Sequence, residues 1–210
     1  MPSIRLLLLS ALVACLPAVA GGQPAAPHAD FVNDLRRGGY VIVLRHGATN
    51  PAQPNTDPMS NPTATTSGTA ERQLNAQGRV QAKSIGEQMH RLSIPVGLVV
   101  TSTTQRAVDT GELLGFGEVT ADPDLAEGAS ADESTRRAEA LRKLAATLPP
   151  PGNNTVIVSH KPNIVDAFGK DLSDIHEGEA SVFEPDGHGG YRFIARVRST
   201  EWSMLAQTSN

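Results

Sequence analysis

The sequence predicts an α/β fold: a three-layer sandwich with a mostly parallel central sheet, helices on both faces, and a C-terminal β-hairpin. Three observations predict it. Residues 40–44, 96–100 and 155–159 are short, continuous, β-branched apolar runs, the pattern of strands buried on both faces. Segments with helical apolar spacing separate them. Two further β-rich runs, 181–185 and 191–197, flank a Gly-rich turn at 186–190, which reads as a hairpin.

Each element follows in chain order. Residues 30–37 form a short helix that Gly38 and Gly39 stop, and the run 40–44 is the first strand. Residues 50–70 are rich in Pro, Thr, Ser and Asn and have no hydrophobic period. That stretch is too long for an ordinary connection and reads as either a flexible insertion or a lid. Ala82, Ile85, Met89 and Leu92 then step by three, four and three along one buried helical face. The second strand, 96–100, leads into a helix over 104–114. Ser130, with Glu133 three residues on, is a capping box for a helix whose face is Ala138, Leu141, Ala145 and Leu148. Pro149, Pro150, Pro151 and Gly152 end it, and the third strand, 155–159, runs into another helix.

Length and composition bound the function classes. The chain has 210 residues, enough for one compact domain over 21–210 and too few for two of ordinary size. It is 39% hydrophobic and 19% charged, which permits a real core, and its net charge of −4 does not suit a general nucleic-acid binder. A few clustered arginines could still define a site for a small anion. Residues 1–20 read as a secretory signal peptide: a positive start, a Leu-rich run too short to span a membrane, and the small-x-small pattern Ala18-Val19-Ala20. The expected location is periplasmic or secreted. The one cysteine, Cys15, follows Leu12-Val13-Ala14 in a lipobox-like context, so lipid anchoring there is the alternative.

In a mostly parallel sheet, sites lie beyond the carboxyl ends of the strands. The first strand delivers Arg45, His46 and Gly47. The second delivers Thr101 and Ser102, with Arg106 in the first turn of the next helix. The third delivers Ser159 and His160. These residue types suit phosphoryl transfer. Arginine presents a planar, permanently charged fork to phosphate oxygens. A neutral imidazole is a competent nucleophile near pH 7. No His, Asp or Glu spacing suggests a metal site, and no cofactor is expected.

These residues also carry a resemblance. YVIVLRHGAT (40–49) resembles the signature of the histidine phosphatase superfamily, in its phosphoglycerate mutase-like branch. RQLNAQGRVQA (72–82), TSTTQRAVDTGELL (101–114) and VIVSHKPNI (156–164) are similar to the segments that follow it in that family, and in the same order. The resemblance implies hydrolysis of phosphate monoesters through a phosphohistidine on His46. Arg45, Arg106 and His160 would bind the phosphoryl group, with His160 also assisting as a charged donor. Glu127, in Asp124-Leu125-Ala126-Glu127-Gly128, would be the general acid and base. Asn50 and Glu179 are candidate substrate contacts, and Glu179 is also a rival acid. The implied partner is a small phosphorylated substrate such as an envelope sugar phosphate. A phosphohistidine protein phosphatase and an idle phospholigand-binding module are the alternatives. Lys161-Pro162 and Ala48 depart from the common family pattern, and the substrate-binding stretches of the mutases are not found.

Overall fold

Strands that are apolar on both faces need cover on both sides, and the computed structural model of the protein supplies it. Residues 29–53 and 71–208 are described. The expected leader at 1–20, Cys15, and positions 54–70 of the 50–70 segment lie outside the described residues. In chain order the elements are α1 (Ala29–Arg37), β1 (Val41–Arg45), α2 (Ala76–Arg91), β2 (Val96–Thr101), α3 (Gln105–Leu113), β3 (Val119–Ala121), α4 (Ala131–Ala145), β4 (Asn154–Ser159), α5 (Lys161–Phe168), β5 (Ala180–Pro185), β6 (Tyr191–Val197) and α6 (Glu201–Thr208).

The strands form one sheet in the order β3-β2-β4-β1-β5-β6. Strands β1, β2, β3 and β4 pair in parallel, whereas β5 runs antiparallel to β1 and β6 antiparallel to β5 as a hairpin. Side-chain alternation splits the core between the two faces. Ile42 and Leu44 pack with Val156, Val158 and residues of α1, α2, α3 and α6, including the fully buried Trp202. Val41, Val43 and Ile157 pack with Leu141 of α4 and Ile164 of α5. Among the described residues no helix is long and apolar enough to cross a membrane.

The structure corrects two details and adds two elements. Leu148 is not on the α4 face: the helix ends at Ala145, ahead of the proline run, and Leu148 is 61% exposed. The run 96–100 is a strand, but its first half is not buried, and Leu98 is 39% exposed. The three-residue β3 pairs only with Val99 to Thr101, so among the described residues no strand flanks β2 earlier on that side. Strand β3 and helix α6 were not expected. The capping box at α4 is also modified: Ser130 accepts from Glu133 N, but Glu133 returns its carboxylate to Ala129 N rather than to Ser130.

One backbone contact sets the approach to the site. The chain leaving β1 presses against the first turn of α2, where a Cβ on Gly78 would lie 2.0 Å from Ala48 O. A Cβ on Gly47 would lie 2.8 Å from Gly78 O. Only glycines permit this approach. Gly78→Ala is therefore expected to destabilise the fold by about 1–3 kcal/mol through overpacking, read as a lowered urea midpoint with an unchanged slope.

Candidate active site

The parallel register of β1 and β4 pairs Arg45 with Ser159. The next residue on each strand is a histidine, and the His46 and His160 ring centroids are 5.2 Å apart. His46 N donates to Ser159 O at 3.1 Å, locking the two strand ends together. On the other flank of β4, Thr101 pairs with Val158, so β2 ends beside His160 and turns through Ser102 and Thr104 into α3 with Arg106 in its first turn.

His46 is buried, and its Nδ1 lies 2.8 Å from Gly47 O. A carbonyl can only accept, so Nδ1 carries the proton and Nε2 keeps its lone pair. Burial pushes the His46 pKa down to about 3. The Gly47 hydrogen bond opposes that shift, and the charges of Arg106, Arg45 and Arg72 add to it. The imidazole is thus neutral across the ordinary pH range.

His160 is completely buried and held from both nitrogens. Arg106 Nη2 donates to its Nδ1 at 3.2 Å, which leaves Nε2–H to donate to Ser102 Oγ at 2.7 Å. Burial first, then the neighbouring His46 and the arginines, hold its pKa well below the ordinary histidine value. In this arrangement His160 Nδ1 is an acceptor toward Arg106.

Arg106 is 2% exposed and lies between carboxylates. Its Nη2 is 3.3 Å from Glu127 Oε1 and its Nη1 is 3.3 Å from Glu71 Oε1. Glu127 Oε1 also lies 3.5 Å from His160 Nδ1, so Glu127 lies against both His160 and Arg106. Its backbone is placed by other groups. Arg137 donates to Glu127 O, while Ser159 Oγ and Asn163 Nδ2 donate to Leu125 O. Arg45 donates through Nη1 to Ile175 O at 2.7 Å, and its Nη2 is 3.7 Å from Glu177 Oε1. Burial lowers the pKa of both arginines from its ordinary value, and a guanidinium remains charged regardless. Among the described residues, neither Arg45 Nε nor Arg106 Nε has a hydrogen-bond partner.

The remaining expected residues lie elsewhere. Asn50 is exposed, and its side chain accepts from Ala52 N in a turn. Glu179 is 1% exposed, with its carboxylate bonded to Arg196 and to His176 N. Glu71, Arg72 and Glu177 are charged neighbours that the sequence reading missed. A single Glu in a polar stretch carries no spacing signal. Glu177 and Glu179 instead line a cleft of about 390 Å³ with Ala48, Thr49, Gln77 and Arg198. Among the described residues no group of three His, Cys, Asp or Glu is placed to hold a metal ion.

Residues 41–130 match the histidine phosphatase superfamily (branch 1). Over that segment the sequence is similar to that superfamily. No curated protein matches it in sequence. Among solved structures, the protein histidine phosphatase SixA in complex with tungstate is similar at 15% identity and a TM-score of 0.54. That alignment covers 77% of this chain and 98% of SixA. A mycobacterial glucosyl-3-phosphoglycerate phosphatase in complex with VO3 is similar at 20% identity and a TM-score of 0.51, over 74% of this chain and 97% of the other. At these identities the structural matches establish a shared fold.

The buried histidines make stability pH-dependent. Their folded pKa values lie below the unfolded value of about 6.5. Above that pH they are neutral in both states, and their contribution is complete. As pH falls below about 6.5, the unfolded chain binds protons that the folded chain does not, so stability falls towards the folded pKa. Urea midpoints measured from pH 7 to 4.5 should decline, and His46→Asn should make that decline shallower. An equally steep decline in the variant would contradict a neutral, buried His46.

Proposed function

We propose that the protein is a metal-independent phosphomonoesterase that works outside the cytoplasm through a phosphohistidine on His46. The observation that carries this reading is the convergence of Arg45, His46, Arg106 and His160 from three strand ends around a neutral imidazole whose Nε2 keeps its lone pair. The two unpartnered guanidinium Nε donors fit the oxygens of a phosphoryl group.

The chemistry follows from those groups. Arg45 and Arg106 bind the phosphoryl oxygens and neutralise the charge spread over them in the transition state. His46 Nε2 attacks phosphorus as the bond to the leaving oxygen breaks, and Glu127 in its protonated form gives that oxygen a proton. A water then attacks phosphorus and yields a proton to Glu127. The P–N bond breaks, inorganic phosphate leaves and His46 is restored. His160, an acceptor toward Arg106, becomes a donor to the phosphoryl group by taking up a proton when the anion binds. The position of Glu127, 3.3 Å from Arg106 and 3.5 Å from His160, favours an ester over a phosphohistidine protein substrate, whose imidazole leaves without an acid.

Rapid quenching with a labelled ester should trap an acid-labile, base-stable phosphoryl group on His46. His46→Ala should lose both label and turnover, while vanadate inhibits and chelators do not. Normal turnover by His46→Ala would refute the mechanism. Glu127→Gln should depress hydrolysis of an alkyl phosphate by about a hundredfold or more while sparing the burst on a p-nitrophenyl ester. A burst lost equally on both would remove Glu127 from the acid role. Mass spectrometry of protein from its native host should find a start at Gly21, or a lipidated Cys15. An intact Met1 in the soluble cytoplasmic fraction would overturn export.

A further inference from the structure

Arg106 is matched twice, and the second partner has no role in the chemistry above. Glu71 Oε1 lies 3.3 Å from Arg106 Nη1, and the same oxygen accepts the backbone N–H of Gln105 at 2.8 Å. Gln105 opens α3, a nine-residue helix. One carboxylate oxygen therefore engages both positive features that a phosphoryl oxygen would use here, the guanidinium and the helix N-terminus. Its side chain is only 13% exposed, so solvent screens its charge weakly.

The residues after Glu71 hold it in place. Arg72 donates from Nε and Nη2 to Gln53 O at 3.1 and 3.0 Å, Gln73 N donates to Gln53 Oε1, and Leu74 bridges to Thr49. A phosphoryl group that displaces the carboxylate from Arg106 cannot send it far, and the negative charge stays in the wall of the site. Glu177 lies beside Arg45 in the same way, so both cradle arginines face a carboxylate besides Glu127.

We propose that Glu71 is a specificity residue. It is an internal anion that competes with the phosphoryl group for Arg106 and the start of α3, and it biases the site against esters whose leaving group bears a further negative charge. The proposal rests on the phosphate-binding role assigned to Arg106. The competing view is that Glu71 orients Arg106 from the side, and it makes the opposite prediction for phosphate affinity.

Glu71→Gln separates the two, because its amide oxygen can still accept from Gln105 N while the charge is gone. Calorimetric titration with inorganic phosphate at pH 7 and fixed ionic strength should show about tenfold tighter binding in Glu71→Gln than in wild type, a modest share of what one charge at about 4 Å can contribute. The kcat/KM ratio of 3-phosphoglycerate to glycerol 3-phosphate, which differ by a carboxylate, should rise by about tenfold. Glu71→Ala should shift both quantities in the same direction and serves if the glutamine variant does not fold. Unchanged or weaker phosphate binding, or an unchanged substrate ratio, overturns the proposal. Turnover of p-nitrophenyl phosphate by wild type keeps the two readings apart. Active wild type with no phosphate gain in the variant sinks only the Glu71 proposal. A phosphate gain with inactive wild type upholds the competition of Glu71 for Arg106 and sinks both the bias among esters and the esterase reading.

Discussion

The pairing of β1 with β4 is the constraint on which the rest of the site depends. Parallel strands carry the chain out of the sheet at the same end, and the register that sets Arg45 opposite Ser159 makes His46 and His160 the next pair. A one-residue slip would turn Ile42 and Leu44 from one core to the other, so burial on both faces enforces the register. Ser159 then extends the constraint. Its carbonyl receives His46 N, and its hydroxyl holds Leu125 O two residues before Glu127. The β2–β4 register does the same for Ser102 and the start of α3. The apolar core thus sets the relative positions of four catalytic candidates that are distant in sequence.

Electrostatics decides which states those groups can occupy. A guanidinium as buried as Arg106 is tolerated only with matched charge nearby, and Glu71 and Glu127 supply it. The two histidines cannot add positive charge in the same volume, so burial and the arginines keep them neutral. An incoming phosphate changes that balance. On the proposed function it brings negative charge to Arg106, weakens the hold of both carboxylates, and makes proton uptake by His160 favourable. Substrate binding would thus recruit the proton that His160 needs, because an anion raises the proton affinity of a neighbouring imidazole.

How legible these features were in the sequence follows from the physics of each. The strands at 40–44 and 155–159 were readable because burial on both faces demands an unbroken apolar run. Their end residues were readable because topology places strand ends on one rim. β3 was not: three residues, partly exposed, leave no pattern to detect. Leu148 looked like core because its spacing continued that of Ala145, yet the helix stops before reaching it. The pairing of Glu71 and Glu177 with the cradle arginines depends on loops folding back over 35 and 132 residues of chain, and no local signal encodes that.

The same contrast explains what the shared motifs are for. Much of 72–82 does no chemistry. Asn75 caps α2, Gly78 lets the helix touch the β1 exit, and Gln81 accepts from Ala48 N while donating to Glu177 O and Ser199 Oγ. Thr110 accepts from Gly47 N, and Asn163 bonds Ser159 and Leu125. These residues brace the loops that carry His46 and Glu127, so their identity is bound to geometry that any phosphoryl transfer at this site would need. On the proposed function, choice among phosphate esters would depend on the charges around Arg45 and Arg106, and those reside largely on residues outside that bracing set. Glu71 and Glu177, by contrast, take no part in that bracing of the strand ends and lie against the guanidinium groups of Arg106 and Arg45.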